Sequence, residues 1–305
     1  MKKEGKNFSL FLGRSDLIGD TVMCEPMLRY FEKLYPNSYK YWHILGKCSQ
    51  AAPLWFNHPL IDKIKISKNL ESYDEEDYEI MKKCDIVINT RPQHKDNFWF
   101  NRHDCVMETA IMTGIDINDF NSRLSEDEKF PKLYQWFNIG KFDFNLVGYC
   151  KNENKIEKKQ NNIISIKPFA GYNGGGKRSC SEKWWKGMVK KLLDLGYEVK
   201  HYGFVTEPIL SEESGYKKLT HLSFFEQIKL CLDSILTIGE DSGFMWCLGG
   251  YSHKSIHLLS NWQPGHITNF LAFAPKNVNS INIFRQNDIN LIEFDELLAA
   301  IELLK

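Results

Sequence analysis

The chain has 305 residues, of which 43% are hydrophobic, 13% aromatic and 26% charged, so it has the length for two ordinary domains and the apolar content for real cores. Lysine and arginine total 39 and aspartate and glutamate total 39, so the formal net charge is zero and offers no bulk electrostatic footprint for nucleic acid or an anionic membrane. No apolar run approaches the roughly 18–20 residues that span a bilayer, and the polar, lysine-containing start from Met1 to Phe8 lacks the apolar core of a secretory signal; a cytoplasmic protein is expected.

The eight cysteines, at positions 24, 48, 84, 105, 150, 180, 231 and 247, include no Cys-x-x-Cys pair. Zinc ribbons need such pairs because two ligands must reach one ion from one turn. Separate, reduced thiols are expected instead.

In chain order, Phe8 to Gly13 is an apolar run of strand length ending at a glycine. A helical pattern follows from Thr21 to Leu34, with Val22, Met23, Met27, Leu28, Phe31 and Leu34 at helical spacing and a stop at Tyr35-Pro36-Asn37. Tyr39 to Leu45 reads as a strand, Asp62 to Ile66 as an alternating, edge-type strand, and Asp85 to Asn89 as a β-branched one. His103 to Thr113 reads as a helix closed by Gly114. Residues 151–162, rich in lysine and asparagine with one apolar side chain, read as a solvated linker.

The alternation then restarts. Ile163 to Lys167 is a strand, Gly171 to Lys177 a glycine-rich loop, and Ser181 to Leu195 a helix with Ser181 as N-cap and Gly196 past its end. Tyr197 to Tyr202, Ser234 to Ile238 and Lys254 to Leu259 read as strands, Phe224 to Leu232 as a helix, and Leu291 to Leu304 as an amphipathic closing helix. Two strand–helix series joined by a linker predict an α/β protein of two Rossmann-like domains, residues 1–155 and 156–305, with mostly parallel sheets. The closing helix over 291–305 is free to return to the first domain in this reading.

Three stretches follow strands, where ligands of open parallel sheets sit. In Gly13 to Asp20, Gly19 lets the backbone approach a ligand closely, and Asp20 at the helix start either caps the helix or acts in catalysis. The spacing is not the dinucleotide fingerprint Gly-x-Gly-x-x-Gly. In Lys167 to Arg178, Gly174, Gly175 and Gly176 stand beside Lys177 and Arg178, an anion-binding loop in which backbone donors and two cations hold a diphosphate. It is not a P-loop, because Arg178 stands where serine or threonine is required. In Gly239 to Gly250, Glu240, Asp241, Ser242 and Gly243 form a small acidic turn into a helix whose N-terminus suits phosphate. Asp241 there orients a ribose or a cationic side chain, or caps the helix.

Taken in order, these stretches resemble glycosyltransferase family 9, the heptosyltransferase-like enzymes of the GT-B fold. The resemblance rests on Leu17 to Pro26 with Leu28, Tyr35 and Pro36, on Asn57 to Asp62, on Lys177, Arg178 and Trp184, and on Phe224 to Ile228 with Thr237 to Gly243. It departs at Trp246, where the family has histidine, and over Gly249 to His257. The resemblance implies a GT-B architecture with the two sheets facing a central cleft, and transfer of a sugar from a nucleoside-diphosphate sugar to a glycan, lipid-linked saccharide or protein. It implies Asp20 as general base and Lys177 with Arg178 as stabilisers of the departing diphosphate. Asp241, Ser242 and Gly243 would hold phosphates or ribose, and no metal and no cofactor beyond the donor co-substrate would be needed. The loop from Arg91 to Phe100 is the candidate acceptor wall, with Arg91, His94 and Trp99 its candidate contacts. The rival readings are a non-catalytic nucleotide-sugar or glycan-binding protein, and another GT-B-type enzyme such as a nucleotide-sugar epimerase.

Overall fold

The computed structural model describes residues 5–6, 8–13, 18–89, 115–129, 162–170, 179–251, 253–260, 279–285 and 288–305. The chain forms two compact units that change over in sequence between Lys155 and Ile156, and each is built on one parallel sheet.

The first unit carries four strands, β1 (Ser9–Gly13), β2 (Tyr39–Ile44), β3 (Lys63–Ile66) and β4 (Ile86–Asn89), in the order β3-β2-β1-β4. Every pairing is parallel, with Gly13 opposite Asn89 at the carboxyl ends of β1 and β4. β1 is buried along its whole length, as a central strand covered on both faces should be. β3, whose alternation was compatible with an edge place, lies at one edge of the sheet and β4 at the other.

The helical pattern after β1 is two helices, α1 (Ile18–Met23) and α2 (Glu25–Leu34), rather than one. Pro26, in the first turn of α2, has no N–H to donate and its ring excludes the carbonyl one turn back, so the ladder breaks at Cys24. α2 buries Met27, Leu28, Tyr30 and Phe31. Sequence periodicity passes over α3 (Glu75–Lys83), because only Tyr78, Ile80 and Met81 in it are large and apolar. What starts it is a capping box: Asp74 accepts from the Asp77 amide at 2.9 Å and Asp77 from the Asp74 amide at 2.7 Å. A short α4 (Ile117–Arg123) lies against α2. The helix expected over 103–113 and most of the expected linker lie outside the described residues.

The second unit carries six strands, β5 (Ile163–Lys167), β6 (Glu198–His201), β7 (Tyr216–Lys218), β8 (Leu236–Glu240), β9 (Ser255–Ser260) and β10 (Ser280–Arg285), all parallel, in the order β10-β9-β8-β5-β6-β7. Numbered within the unit this is 6-5-4-1-2-3, the doubly wound Rossmann order, and its direction reverses between β5 and β8. β7 and β10 were not expected from the sequence: Tyr216-Lys217-Lys218 is short and polar, and β10 alternates as a half-exposed edge.

Helix α5 (Glu182–Asp194) begins where Ser181 accepts from the Trp184 amide at 3.2 Å, and Gly196 follows its end at φ +84°. Its Trp185, Met188, Val189 and Leu192 pack on Ile164, Ile166, Val199 and Ile238 of the sheet, each fully buried side chain contributing roughly 1.5–3 kcal/mol. Among the described residues the further α-helices are α6 (Phe224–Cys231), α7 (Gly243–Gly250) and α8 (Phe294–Leu304). α8 begins three residues later than the expected closing helix and packs on β9 and β10 of its own sheet, burying Leu297, Ala300, Ile301 and Leu304. Among the described residues no helix is long and apolar enough to cross a membrane.

Candidate nucleotide site of the second unit

Where β5 and β8 part, their carboxyl ends set Lys167 opposite Gly239. In a doubly wound sheet, ligands bind in the crevice at this switch point. Glu240, the last residue of β8, is fully buried; its Oε1 accepts from the Cys180 amide at 2.7 Å and from the Trp185 indole at 3.0 Å. Its Oε2 has no hydrogen-bond partner among the described residues. Burial pushes this carboxyl up to about 8, against the opposing pull of its hydrogen bonds and of Lys167. At neutral pH it is therefore mostly a neutral acid. It fastens the chain just past the glycine-rich loop to the end of β8.

After Glu240 the chain turns into α7, with Ser242 as N-cap, its side chain accepting from the Met245 amide at 3.4 Å. The first turn of a helix has N–H groups with no intrahelical acceptor, and here that turn begins beside the switch point. Gly239 lets α7 approach closely: a Cβ there would lie 3.1 Å from Lys167 Cβ and 2.5 Å from Met245 Sδ. Trp246, for which core packing and ligand stacking were both open, is buried with Met245, Cys247 and Leu248.

Beside the switch point a second polar network joins residues far apart in sequence. The Tyr216 hydroxyl accepts from the Leu210 amide at 3.2 Å and donates to His201 Nδ1 at 2.7 Å, since the neutral imidazole keeps its one proton on Nε2 against the Glu207 carboxylate. His201 Nε2 then donates to Glu207 Oε2 at 2.8 Å, while Lys167 Nζ donates to Glu207 Oε1 at 3.1 Å. Lys167 also donates to the Phe169 carbonyl. Burial would raise the Glu207 carboxyl, but the His201 hydrogen bond and the Lys167 charge hold it below its ordinary value. Burial pushes the His201 imidazole down, keeping it neutral. The pair Lys167–Glu207 is thus a buried ion pair in which both partners make further hydrogen bonds, the condition for such a pair to persist.

Gln227 on α6 fixes the same region from below. Its Oε1 accepts from the Gly203 amide at 2.8 Å and its Nε2 donates to the Gly203 carbonyl at 3.1 Å. Gly203 has φ +151°, and any Cβ there would run into the Glu207 carboxylate, so the turn after β6 requires glycine.

In the first unit, Gly13 closes β1 at a point where a Cβ would collide with the Tyr73 hydroxyl and lie 3.1 Å from the Ile88 carbonyl. Gly19 and Asp20 fall in the first turn of α1. Two stretches that carried the sequence resemblance meet here. His58 is buried, accepts at Nδ1 from the Leu60 amide at 3.1 Å, and places Nε2 3.3 Å from Glu25 Oε1. Glu25 in turn is bound by Arg29, which donates to the Glu128 carbonyl at 3.0 Å. These residues lock α2 to the neighbouring loops.

Of the residues singled out by sequence, Glu240, Asp241, Ser242 and Gly243 come together at the switch point. Lys177, Arg178, Gly174, Gly175 and Gly176 lie outside the described residues, as do Arg91, His94 and Trp99. Lys167, His201, Glu207, Tyr216 and Gln227 were not given roles from sequence. The signal available was Lys167 itself, a lysine ending an apolar strand. His253 is half-buried and His257 buried, and both are bonded to neighbouring hydroxyls, Thr237 at 3.0 Å and Ser255 at 2.9 Å. Among the described residues no cluster of His, Cys, Asp and Glu side chains is placed to hold a metal ion.

Two Rossmann-like units on parallel sheets define an α/β protein of the GT-B class. No protein-family model and no curated protein sequence matches the chain. Among solved structures, it is similar to a glycosyl transferase family 9 protein from Veillonella parvula, at 14% identity over 99% of this chain and 98% of that one, with a TM-score of 0.66. It is similar to the Escherichia coli heptosyltransferase WaaC with ADP-2-deoxy-2-fluoro heptose, at 10% identity over 97% and 100% of the two chains and a TM-score of 0.63. The E. coli ADP-heptose lipopolysaccharide heptosyltransferase II matches at 13% identity over 98% of each chain and a TM-score of 0.59. The chain therefore has the heptosyltransferase-like fold along essentially its whole length.

Proposed function

We propose that the chain is a glycosyltransferase that moves a sugar from a nucleoside-diphosphate sugar to a hydroxyl of a glycan, lipid-linked saccharide or protein acceptor. The observation that carries the reading is the switch point of the second sheet. There the carboxyl end of β5, which in sequence precedes the glycine- and lysine-rich stretch, and the Glu240–Gly243 turn into α7 belong to adjacent strands, in a chain with the fold of transferases solved with ADP and ADP-2-deoxy-2-fluoro heptose.

The second unit takes the donor. Lys177, Arg178 and the amides of Gly174 to Gly176 neutralise the diphosphate, whose charge grows as the sugar departs. Asp241, Ser242 and Gly243 contact phosphate or ribose at the helix start. Glu240 acts behind them, holding Cys180 and thereby the far end of the loop. The first unit takes the acceptor, with Arg91, His94 and Trp99 as contacts. Asp20 removes the acceptor proton as the acceptor oxygen bonds to the anomeric carbon and the bond to the diphosphate breaks. Lysine, arginine and backbone donors supply the positive charge, so the reading requires no metal.

The test is a thermal-shift panel of nucleoside diphosphates and nucleotide sugars on wild type, Lys177→Ala and Asp20→Ala, since a ligand that binds only the folded state raises its melting temperature. The reading expects at least one diphosphate to stabilise wild type, Lys177→Ala to weaken that effect and Asp20→Ala to leave it intact. A panel in which no nucleotide shifts the melting temperature contradicts it.

A further inference from the structure

Among the described residues of the second unit, Phe204 is a large aromatic left exposed on a turn beside the switch point, next to the exposed Val205. Its ring is 51% exposed, yet the backbone that carries it is bound at nearly every polar atom. The Phe204 amide donates to Glu207 Oε1 at 2.9 Å, and the Phe204 carbonyl accepts from the Glu207 amide at 3.0 Å. Lys218 Nζ, reaching over from β7, donates to the Val205 carbonyl at 3.0 Å and to the Glu207 carbonyl. Gln227 holds both the amide and the carbonyl of Gly203 immediately before it. An exposed aromatic on a loose loop needs no explanation, but one held by a fixed turn is a presented surface.

Its place in the fold says what it presents. The turn follows β6, the second strand of the Rossmann order, next to the switch point. In that order the phosphates lie over the first strand's turn and the nucleoside extends toward the end of the second. The Lys167 ammonium lies over the ring at 5.6 Å from its centroid, a cation–π contact with the ring quadrupole. Both oxygens of the nearby Glu207 are taken up by His201, Lys167 and the Phe204 amide. In its observed state this carboxylate is committed to the turn, which leaves the aromatic surface as the recognition element at this end.

We infer that Phe204 is the stacking platform for the nucleobase of the donor, held by the Tyr216–His201–Glu207–Lys167 network and by Gln227. The inference rests on the donor-site reading above and deepens it. Because every base has a π-face, such a platform supplies affinity and tolerates base identity.

The experiment is calorimetric titration of ADP, GDP, UDP and CDP, with inorganic pyrophosphate as the base-free probe, into wild type, Phe204→Ala and Phe204→Trp. Loss of a base–aromatic stack is expected to weaken each diphosphate that binds wild type by about five- to one-hundredfold in Phe204→Ala. Phe204→Trp restores binding, and pyrophosphate binds all three forms alike. Because the ring is half exposed, Phe204→Ala is expected to melt close to wild type, which separates lost stacking from lost folding. Unchanged diphosphate affinity in Phe204→Ala overturns the inference while leaving the donor reading standing. An equal loss for pyrophosphate overturns it too, because the effect would then lie at the phosphates. If wild type binds none of the diphosphates, the donor reading fails and takes this inference with it.

Discussion

Replacing Glu240 with glutamine tests the proposal that a neutral acid underlies the switch point. Glutamine keeps the shape and leaves its Oε1 to accept from Cys180 and Trp185, while its amide nitrogen takes the place of Oε2, which has no partner among the described residues. Burial moves the wild-type carboxyl from an ordinary 4.5 to about 8. A carboxyl raised in the folded state binds its proton there while the unfolded chain has already released its own. Stability is therefore whole below the unfolded value and is lost as pH climbs between the two. At about 1.4 kcal/mol per pH unit, that interval amounts to about 5 kcal/mol at most. Glutamine does not titrate, so the stability of Glu240→Gln minus that of wild type should rise steadily from about pH 5 to pH 8. Near pH 5 the two should differ by no more than about 1–2 kcal/mol, the scale of one altered buried polar group. The assay is guanidinium unfolding across that range, followed by tryptophan fluorescence and far-ultraviolet circular dichroism. A difference that stays flat with pH refutes the reasoning and means that Glu240 is ionised in the folded protein.

Three further outcomes follow from the same physics. His253 is half-buried by solvent exposure but closely packed, and desolvation holds its imidazole down to about 4, so the folded protein resists protonation that the unfolded chain accepts, and stability falls as pH drops from about 6.5 to 4. His253→Gln should flatten that slope by up to about 1.4 kcal/mol per pH unit in acid unfolding curves, and an unchanged slope would mean another group dominates. Asp74→Ala removes the N-cap of α3, a partner of buried Lys65 at 3.5 Å and the acceptor of the Lys68 amide at 2.7 Å. It should cost about 2–3 kcal/mol, beyond an ordinary cap of ~1, measured by denaturant unfolding; a loss under 1 kcal/mol would show these contacts to be weak. At Gly46 a Cβ would lie 2.7 Å from the Asn69 carbonyl and 3.0 Å from the Ser67 carbonyl, backbone atoms that cannot swing aside. Gly46→Ala should therefore destabilise by about 1–3 kcal/mol, read as a lowered melting temperature, and an unshifted one would mean the segment near Ser67 yields freely.

Much of the architecture was legible because central strands of parallel sheets are apolar on both faces. Ile163 to Lys167 and Ser234 to Ile238 announce themselves in this way. The start of α5 was legible from Ser181 and its end from Gly196, since both residues act through local backbone geometry. Edge strands carry no such mark: β7 is Tyr-Lys-Lys, and β10 alternates with asparagine and arginine. α3 was hidden because its nucleus is a pair of aspartates rather than an apolar stripe. The break at Cys24 was readable in principle from Pro26, yet the apolar spacing runs straight through it.

The site divides in the same way. The Glu240–Gly243 turn follows a strand and opens a helix, a local pattern. By contrast, Lys167, His201, Glu207, Tyr216 and Gln227 come from five separate segments, and only the sheet order β8-β5-β6-β7 with α6 brings them together. No spacing rule in one sequence encodes a contact between residues 167 and 207. Sequence reading placed Glu240 and Asp241 together in one acidic turn suited to the donor. The backbone makes Glu240 the buried terminus of β8 and leaves Asp241 at the turn.

The most direct test of the central claim is amide hydrogen exchange with and without a saturating nucleoside diphosphate, chosen as the one that most raises the melting temperature. The account predicts added protection at the carboxyl ends of β5, β6 and β8 and in the first turn of α7, with the first unit unchanged. Protection confined to the first unit, or spread over the second away from β5 and β8, would contradict the assignment of the switch point as the donor site.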